Sequence, residues 1–218
     1  MYSRVCCSWF KDIVSPIQLG PDEPLREKNM TAEQLTFTSD PNLKVLIDAE
    51  SIQTRIREMG QAITRDYSGK KLHLVAVLKG ACIFLSDLMR NIDLPVSVDF
   101  IGISSYGTST KSSGEVRITK DLDMSLLGKE LLVVEDIIDT GLTLNYLVNI
   151  FKSRGIDSIE IAALLDKPAR HEIEVHARYI GFTIPNHFVV GYGLDVGEYY
   201  RNLPFIAVPE DPSKFTGR

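Results

Sequence analysis

Apolar residues along this chain alternate between two rhythms. Residues 43–47 form a short apolar run that predicts a strand, and from Asp48 the spacing becomes helical, with Ile52, Ile56, Met59 and Ile63 on one face. Gly69 breaks that helix. Residues 72–78 are almost continuously apolar, as expected of a strand buried on both faces of a parallel sheet. Gly80 opens a second predicted helix, with Ala81, Phe84, Leu85 and Leu88 aligned. A β-rich run follows at 96–103, then a Gly/Ser/Thr-rich stretch at 106–115 that predicts a mobile loop. Gly128-Lys129 leads into a third buried strand, 130–134. After Gly141, Leu144, Leu147, Val148 and Phe151 mark another helix, and 158–165 a fourth strand. Short β segments separated by Pro and Gly occupy the rest, to about Val208.

Strands alternating with helices predict βαβ units, hence an α/β fold with a parallel core sheet flanked by helices. In such sheets ligands bind beyond the carboxyl ends of the strands. That rule selects Lys79-Gly80, residues 135–143 and Asp166-Lys167. Residues 1–42 contain Pro16, Pro21, Pro24 and Pro41 and little periodicity, so they are expected to be a weakly ordered N-terminal extension, with Met30 as an alternative natural start. The folded domain is expected over 43–209, with a C-terminal tail at 210–218.

Charge and cysteine usage narrow the classes. The net charge is -5, and no Lys/Arg cluster forms a basic patch, which argues against a nucleic-acid binder but leaves small anionic substrates open. The cysteines are Cys6, Cys7 and Cys82; they give neither a disulfide framework nor a zinc spacing, and a reducing cytoplasm suits them. Cys82 reads as a small packed hydrophobe. No apolar run approaches the roughly 20 residues that span a bilayer, and the first 29 residues lack the apolar core of a signal peptide, so no membrane partner is expected. Gly191-Tyr192-Gly193 does not continue into a dinucleotide fingerprint, and His171 and His176 are too far apart in sequence to share a helical face for zinc.

The most informative stretch is Val133-Val134-Glu135-Asp136-Ile137-Ile138-Asp139-Thr140-Gly141-Leu142-Thr143. A strand ends in consecutive carboxylates, and a Thr-Gly turn then enters a helix. Free N–H groups at a helix start and Thr hydroxyls suit a phosphate, and Gly141 permits close backbone approach. The carboxylates suit sugar hydroxyls or Mg²⁺, and Asp139 can accept a proton from a group bound above the loop. An ordinary acidic turn is the competing interpretation of these residues taken alone.

The same stretch resembles the phosphoribosyl-pyrophosphate motif of type I phosphoribosyltransferases, in the version found in hypoxanthine-guanine phosphoribosyltransferases. The resemblance runs from about Leu43 to Pro209. It implies the family fold, with a small hood built from residues near 43–50 and the C-terminal β segments. It implies that Glu135 and Asp136 contact the ribose and Mg²⁺, that Asp139 is the catalytic proton acceptor, and that Asp139, Thr140, Gly141, Leu142 and Thr143 cradle the 5′-phosphate. Position 142 is Leu where some members have Lys. Leu78-Lys79-Gly80-Ala81 resembles the diphosphate-binding strand end, with a cis peptide expected between Lys79 and Gly80. Arg201, in Glu198-Tyr199-Tyr200-Arg201, would also bind diphosphate. Ser105-Tyr106 and the loop after them resemble the family's lid. Lys167 would read the purine 6-oxo group, Phe188 would stack on the base, Val189 would offer its backbone, and Asp195 would lie near the pocket and a second Mg²⁺. The implied substrates are 5-phosphoribosyl 1-diphosphate with hypoxanthine or guanine, and the implied assembly is a homodimer or homotetramer. A xanthine-preferring transferase is the nearest alternative. A nucleic-acid-binding regulator on the same fold fits less well, because the chain keeps Asp139 and is acidic overall.

Overall fold

The computed structural model describes residues 40–105, 116–156 and 158–211. The expected extension before residue 40, the loop 106–115 with Tyr106, and residues 212–218 lie outside the described residues.

Strand β1 (Leu43–Ile47) leads into helix α1 (Ala49–Asp66), whose start is capped by Asp48: its carboxylate accepts the Ser51 N–H at 2.8 Å. The chain continues through β2 (Leu72–Leu78), α2 (Ala81–Arg90), β3 (Ser97–Ser105), β4 (Val116–Lys120), β5 (Glu130–Ile138), α3 (Leu142–Ser153), β6 (Ile159–Asp166), β7 (Tyr179–Thr183) and β8 (Ile206–Pro209). The main sheet has the order β4-β3-β2-β5-β6-β7, and a second, two-stranded sheet pairs β1 with β8 antiparallel. That pairing joins the first strand to the C-terminal β segments, the pieces expected to build the hood.

All neighbours in the main sheet are parallel except β4, which runs antiparallel to β3 at the edge. The core is therefore parallel as expected, and the sheet as a whole is mixed. Nothing in the apolar rhythm announced β4, because an edge strand needs one paired side and little burial. Two other boundaries differ. β5 continues to Ile138, four residues beyond the apolar run, since Glu135, Ile137 and Ile138 still pair with β6. β6 likewise extends to Asp166.

Side-chain alternation along the central strands divides the core into two layers. Leu74, Ala76, Leu132 and Val134 pack with Ile52, Ile56, Ile63, Phe84 and Leu88 of α1 and α2. Val75, Val77, Leu131 and Val133 pack with Leu144, Leu147 and Phe151 of α3 on the opposite face. The predicted helical faces are buried throughout, except that Val148 is only partly covered.

Gly60, within α1, shows how closely the first layer is packed. A Cβ there would stand 2.4 Å from the Asn91 carbonyl oxygen at the end of α2. Alanine favours an exposed helix over glycine by about 1 kcal/mol, but overpacking a tight contact costs about 1–3 kcal/mol. Gly60→Ala is expected to lower the urea midpoint with an unchanged m-value. A raised midpoint would show that the contact relaxes freely.

Candidate active site

β2 and β5 are neighbours, yet the chain leaves them in opposite directions: β2 is followed by β3 on one side, and β5 by β6 on the other. Their carboxyl ends flank the point where strand order reverses, the standard position of a ligand crevice in an open α/β sheet. Lys79-Gly80 closes β2, and the acidic end of β5 stands beside it.

The peptide between Leu78 and Lys79 is cis. The sequence placed this bond one residue later, between Lys79 and Gly80. Gly80 already has helical dihedrals as the N-cap of α2 (φ -60, ψ -44), so the chain has completed its exit from the strand before reaching it. Gly80 is required sterically. A Cβ at this position would fall 1.6 Å from Asp136 Oδ2, so the Asp136 carboxylate rests directly on the Gly80 backbone. Gly193 (φ +102) packs on the same point from the C-terminal side, since its Cβ would lie 2.1 Å from the Gly80 carbonyl oxygen. Glycine is the residue that supplies both the positive φ and the missing side chain.

Glu135 and Asp136 face opposite sides of the sheet. Glu135 follows Val133 on the α3 face, while Asp136 follows Val134 on the α2 face. Glu135 is buried with Oε2 unpartnered. Burial, reinforced by the neighbouring Asp136 charge, pushes its carboxyl well above the usual range. Asp136 is half-buried and accepts the Ile137 N–H at 2.8 Å. Burial pushes it up to about 6, against the pull of that backbone N–H and of Arg201. Among the described residues, no group of three or more His, Cys, Asp or Glu is placed to hold a metal ion. An ion here would need oxygen atoms from a bound substrate to complete its shell, which is how Mg²⁺ is usually held.

The 191–201 segment forms the crevice wall above Gly80. Arg201 donates to the Gly193 carbonyl at 2.8 Å and pairs with Asp195 at 2.9 Å. The other Asp195 oxygen accepts the Glu198 N–H at 2.8 Å. Glu198 lies 2.7 Å from Lys79 Nζ and 3.5 Å from Arg201. The two predicted diphosphate cations thus converge on one carboxylate, whose own pKa is lowered chiefly by Lys79. Tyr192 anchors the segment by donating to Asp87 of α2, which also accepts from Gln53 of α1. Glu198, Tyr192, Asp87 and Gln53 were given no role in the sequence reading, and two of these contacts join residues more than 100 positions apart.

At the end of β5 the chain turns into α3 through Gly141, which is left-handed (φ +82) and would place a Cβ 2.7 Å from the Ile173 carbonyl oxygen. Thr140 Oγ1 accepts the Leu142 N–H at 3.4 Å, and Thr143 lies in the first helical turn. Asp139 is half-exposed and paired with Arg170 at 2.9 Å. Lys167 is buried beside them, and burial lowers its pKa while the Asp139 charge opposes that fall. The Lys167 N–H donates to the Ile138 carbonyl at 3.0 Å, and the Ile184 N–H to the Asp166 carbonyl at 2.9 Å, so the stretch leading to Phe188 starts beside Lys167. Phe188 is 47% exposed, whereas Val189 is buried. Ser105 is the last residue of β3; its lid partner Tyr106 lies outside the described residues. Arg170 was overlooked in the sequence, although a cation three residues after Lys167 behind Pro168 was a usable signal.

Residues 46–196 match the phosphoribosyl transferase domain family. The hypoxanthine-guanine phosphoribosyltransferase of Bacillus subtilis is 51% identical over 165 residues, covering 76% of this chain and 92% of that protein. The bifunctional protein TilS/HprT of Listeria monocytogenes is also 51% identical over 165 residues, but the chain spans only 26% of its length. The crystal structure of a hypoxanthine phosphoribosyltransferase from Staphylococcus aureus superposes with a TM-score of 0.76 at 46% identity, covering 80% of this chain and 95% of that one.

The buried carboxyls give a pH-dependent signature. Asp136 has a folded-state pKa of about 6, above its ordinary 3.8, so its contribution to stability is fully present below the ordinary value and is lost as pH rises through about 6. Asp136→Asn stays neutral. In the ligand-free protein it is expected to raise Tm at about pH 8 and to leave it near wild type at about pH 4. A lower Tm at the higher pH would contradict the burial argument.

Proposed function

The chain belongs to the phosphoribosyltransferase family, and from that membership we propose that it moves the 5-phosphoribosyl group of 5-phosphoribosyl 1-diphosphate to N9 of hypoxanthine or guanine. The products are IMP or GMP and diphosphate, which makes the reaction one of purine salvage. The observation that carries this reading is the set of groups at the strand ends: Lys79 and Arg201 meeting on Glu198, the left-handed Gly141 turn into α3, and the buried cation Lys167 beside Asp139.

The Asp139-to-Thr143 turn and the start of α3 hold the 5′-phosphate through backbone N–H groups and Thr hydroxyls. Glu135 and Asp136 accept from the ribose hydroxyls; the unpartnered Glu135 Oε2 is an acceptor already desolvated for that purpose. Mg²⁺ fits beside Asp136 and Asp195, both hard oxygen donors, and when bound it neutralises charge on the diphosphate. Lys79 and Arg201 receive the departing diphosphate, which displaces the Glu198 carboxylate from between them. Lys167 donates to the purine 6-oxo group, a contact the adenine amino group cannot accept. Phe188 stacks on the ring and Val189 presents its backbone to the base edge. As the bond from the sugar C1′ to the diphosphate oxygen breaks and the bond to N9 forms, Asp139 accepts the proton leaving N7. Ser105 and Tyr106 belong to a lid that keeps water from the reacting sugar.

A homodimer or homotetramer is proposed from the family resemblance alone. The cysteine usage supports a cytoplasmic location, and among the described residues no helix is long and apolar enough to cross a membrane.

Steady-state rates with the donor, Mg²⁺ and each purine test the substrate. Hypoxanthine and guanine are expected to give far higher kcat/KM than adenine or xanthine, and a xanthine rate above both would refute the assignment. Asp139→Asn is expected to lower kcat by about 10²–10⁴, the range a general base supplies, with donor affinity retained. Wild-type turnover would remove Asp139 from the base role.

A further inference from the structure

Arg170 meets Asp139 through a single contact, Nε to Oδ1 at 2.9 Å. The second Asp139 oxygen has no hydrogen-bond partner among the described residues, and both side chains are 45% exposed. Ion pairs with this exposure contribute little to stability. What the contact supplies is orientation: it occupies one carboxylate oxygen and leaves the other without a hydrogen-bond partner among the described residues.

The backbone around the pair is fixed from several directions. Pro168–Arg170 forms a single 3-10 turn, in which the Arg170 N–H donates to the Lys167 carbonyl at 2.9 Å. The turn is stitched to the end of β5 at both sides, by Lys167 N–H to Ile138 O at 3.0 Å before it, and by Glu172 N–H to Thr140 O at 3.0 Å and Ile173 N–H to Thr140 O at 3.2 Å after it. His171 Nε2 stands 2.7 Å from the buried Asp166 carboxylate, which holds the turn down. Arg170 and Asp139 therefore sit on two strands of backbone that are bonded to each other on either side of the contact. Arginine also suits the place chemically. Its guanidinium stays protonated at any working pH, so it cannot intercept a proton destined for the carboxylate.

We propose that Arg170 is a positioning residue that acts through Asp139, fixing Oδ1 so that the other oxygen is presented to the purine N7 proton. The role rests on Asp139 being the proton acceptor. Lys167 serves the base and Arg170 serves the acceptor, so the two cations flanking Asp139 have separate tasks.

Four proteins decide it: wild type, Arg170→Gln, Asp139→Asn and the double variant, each assayed for kcat and for the KM of the donor. Arg170→Gln is expected to lower kcat about tenfold, less than loss of a general base itself, with the donor KM unchanged. In the Asp139→Asn background the same substitution is expected to change kcat by less than about twofold, because a residue acting only through Asp139 has nothing left to act on. An equal loss in both backgrounds, an unchanged kcat in the single variant, or a raised donor KM overturns the proposal. Asp139→Asn with wild-type turnover removes the acceptor role and this one with it, whereas an impaired Asp139→Asn beside an unimpaired Arg170→Gln removes this role alone.

Discussion

The site depends on one contact, the carboxylate of Asp136 lying on the backbone of Gly80. It binds the end of β5 to the end of β2 where strand order reverses, and it leaves no room for a side chain at position 80. Gly193 then brings the C-terminal wall onto the same glycine, so Asp195, Glu198 and Arg201 are placed by the same packing that fixes Asp136. Three distant parts of the chain share one few-ångström region, and the carboxylate is desolvated as a result. The raised pKa of Asp136 is a consequence of that burial. A buried carboxyl without partners destabilises the empty protein and becomes useful when a hydroxyl or cation arrives.

Much of this was legible in the sequence because period and composition are local signals. The two-sided burial of β2, β5 and β6, and the aligned faces of α1, α2 and α3, follow from residues close together in the chain. The same holds for Gly141, whose left-handed turn before α3 is a short-range property of Thr-Gly-Leu. The edge strand β4 was not legible, because it is bounded by a loop and buries little.

Partnerships across long separations were also hidden. That Lys79 meets Glu198, that Tyr192 hangs from Asp87, and that Arg170 holds Asp139 are facts of topology, set by which strand ends the fold gathers. The adjacent carboxylates Glu135 and Asp136 add a further point: neighbours on a strand face opposite sides of the sheet. Each therefore has a different neighbourhood, and only Asp136 lies on Gly80.

The account makes Gly80 indispensable although glycine brings no functional group of its own. Calorimetric titration of the Gly80→Ala protein with 5-phosphoribosyl 1-diphosphate and Mg²⁺ tests this directly. Displacement of Asp136 is expected to abolish or severely weaken donor binding while the far-UV CD spectrum stays that of the wild type. Wild-type affinity in a folded Gly80→Ala protein would contradict the claim that this contact organises the site.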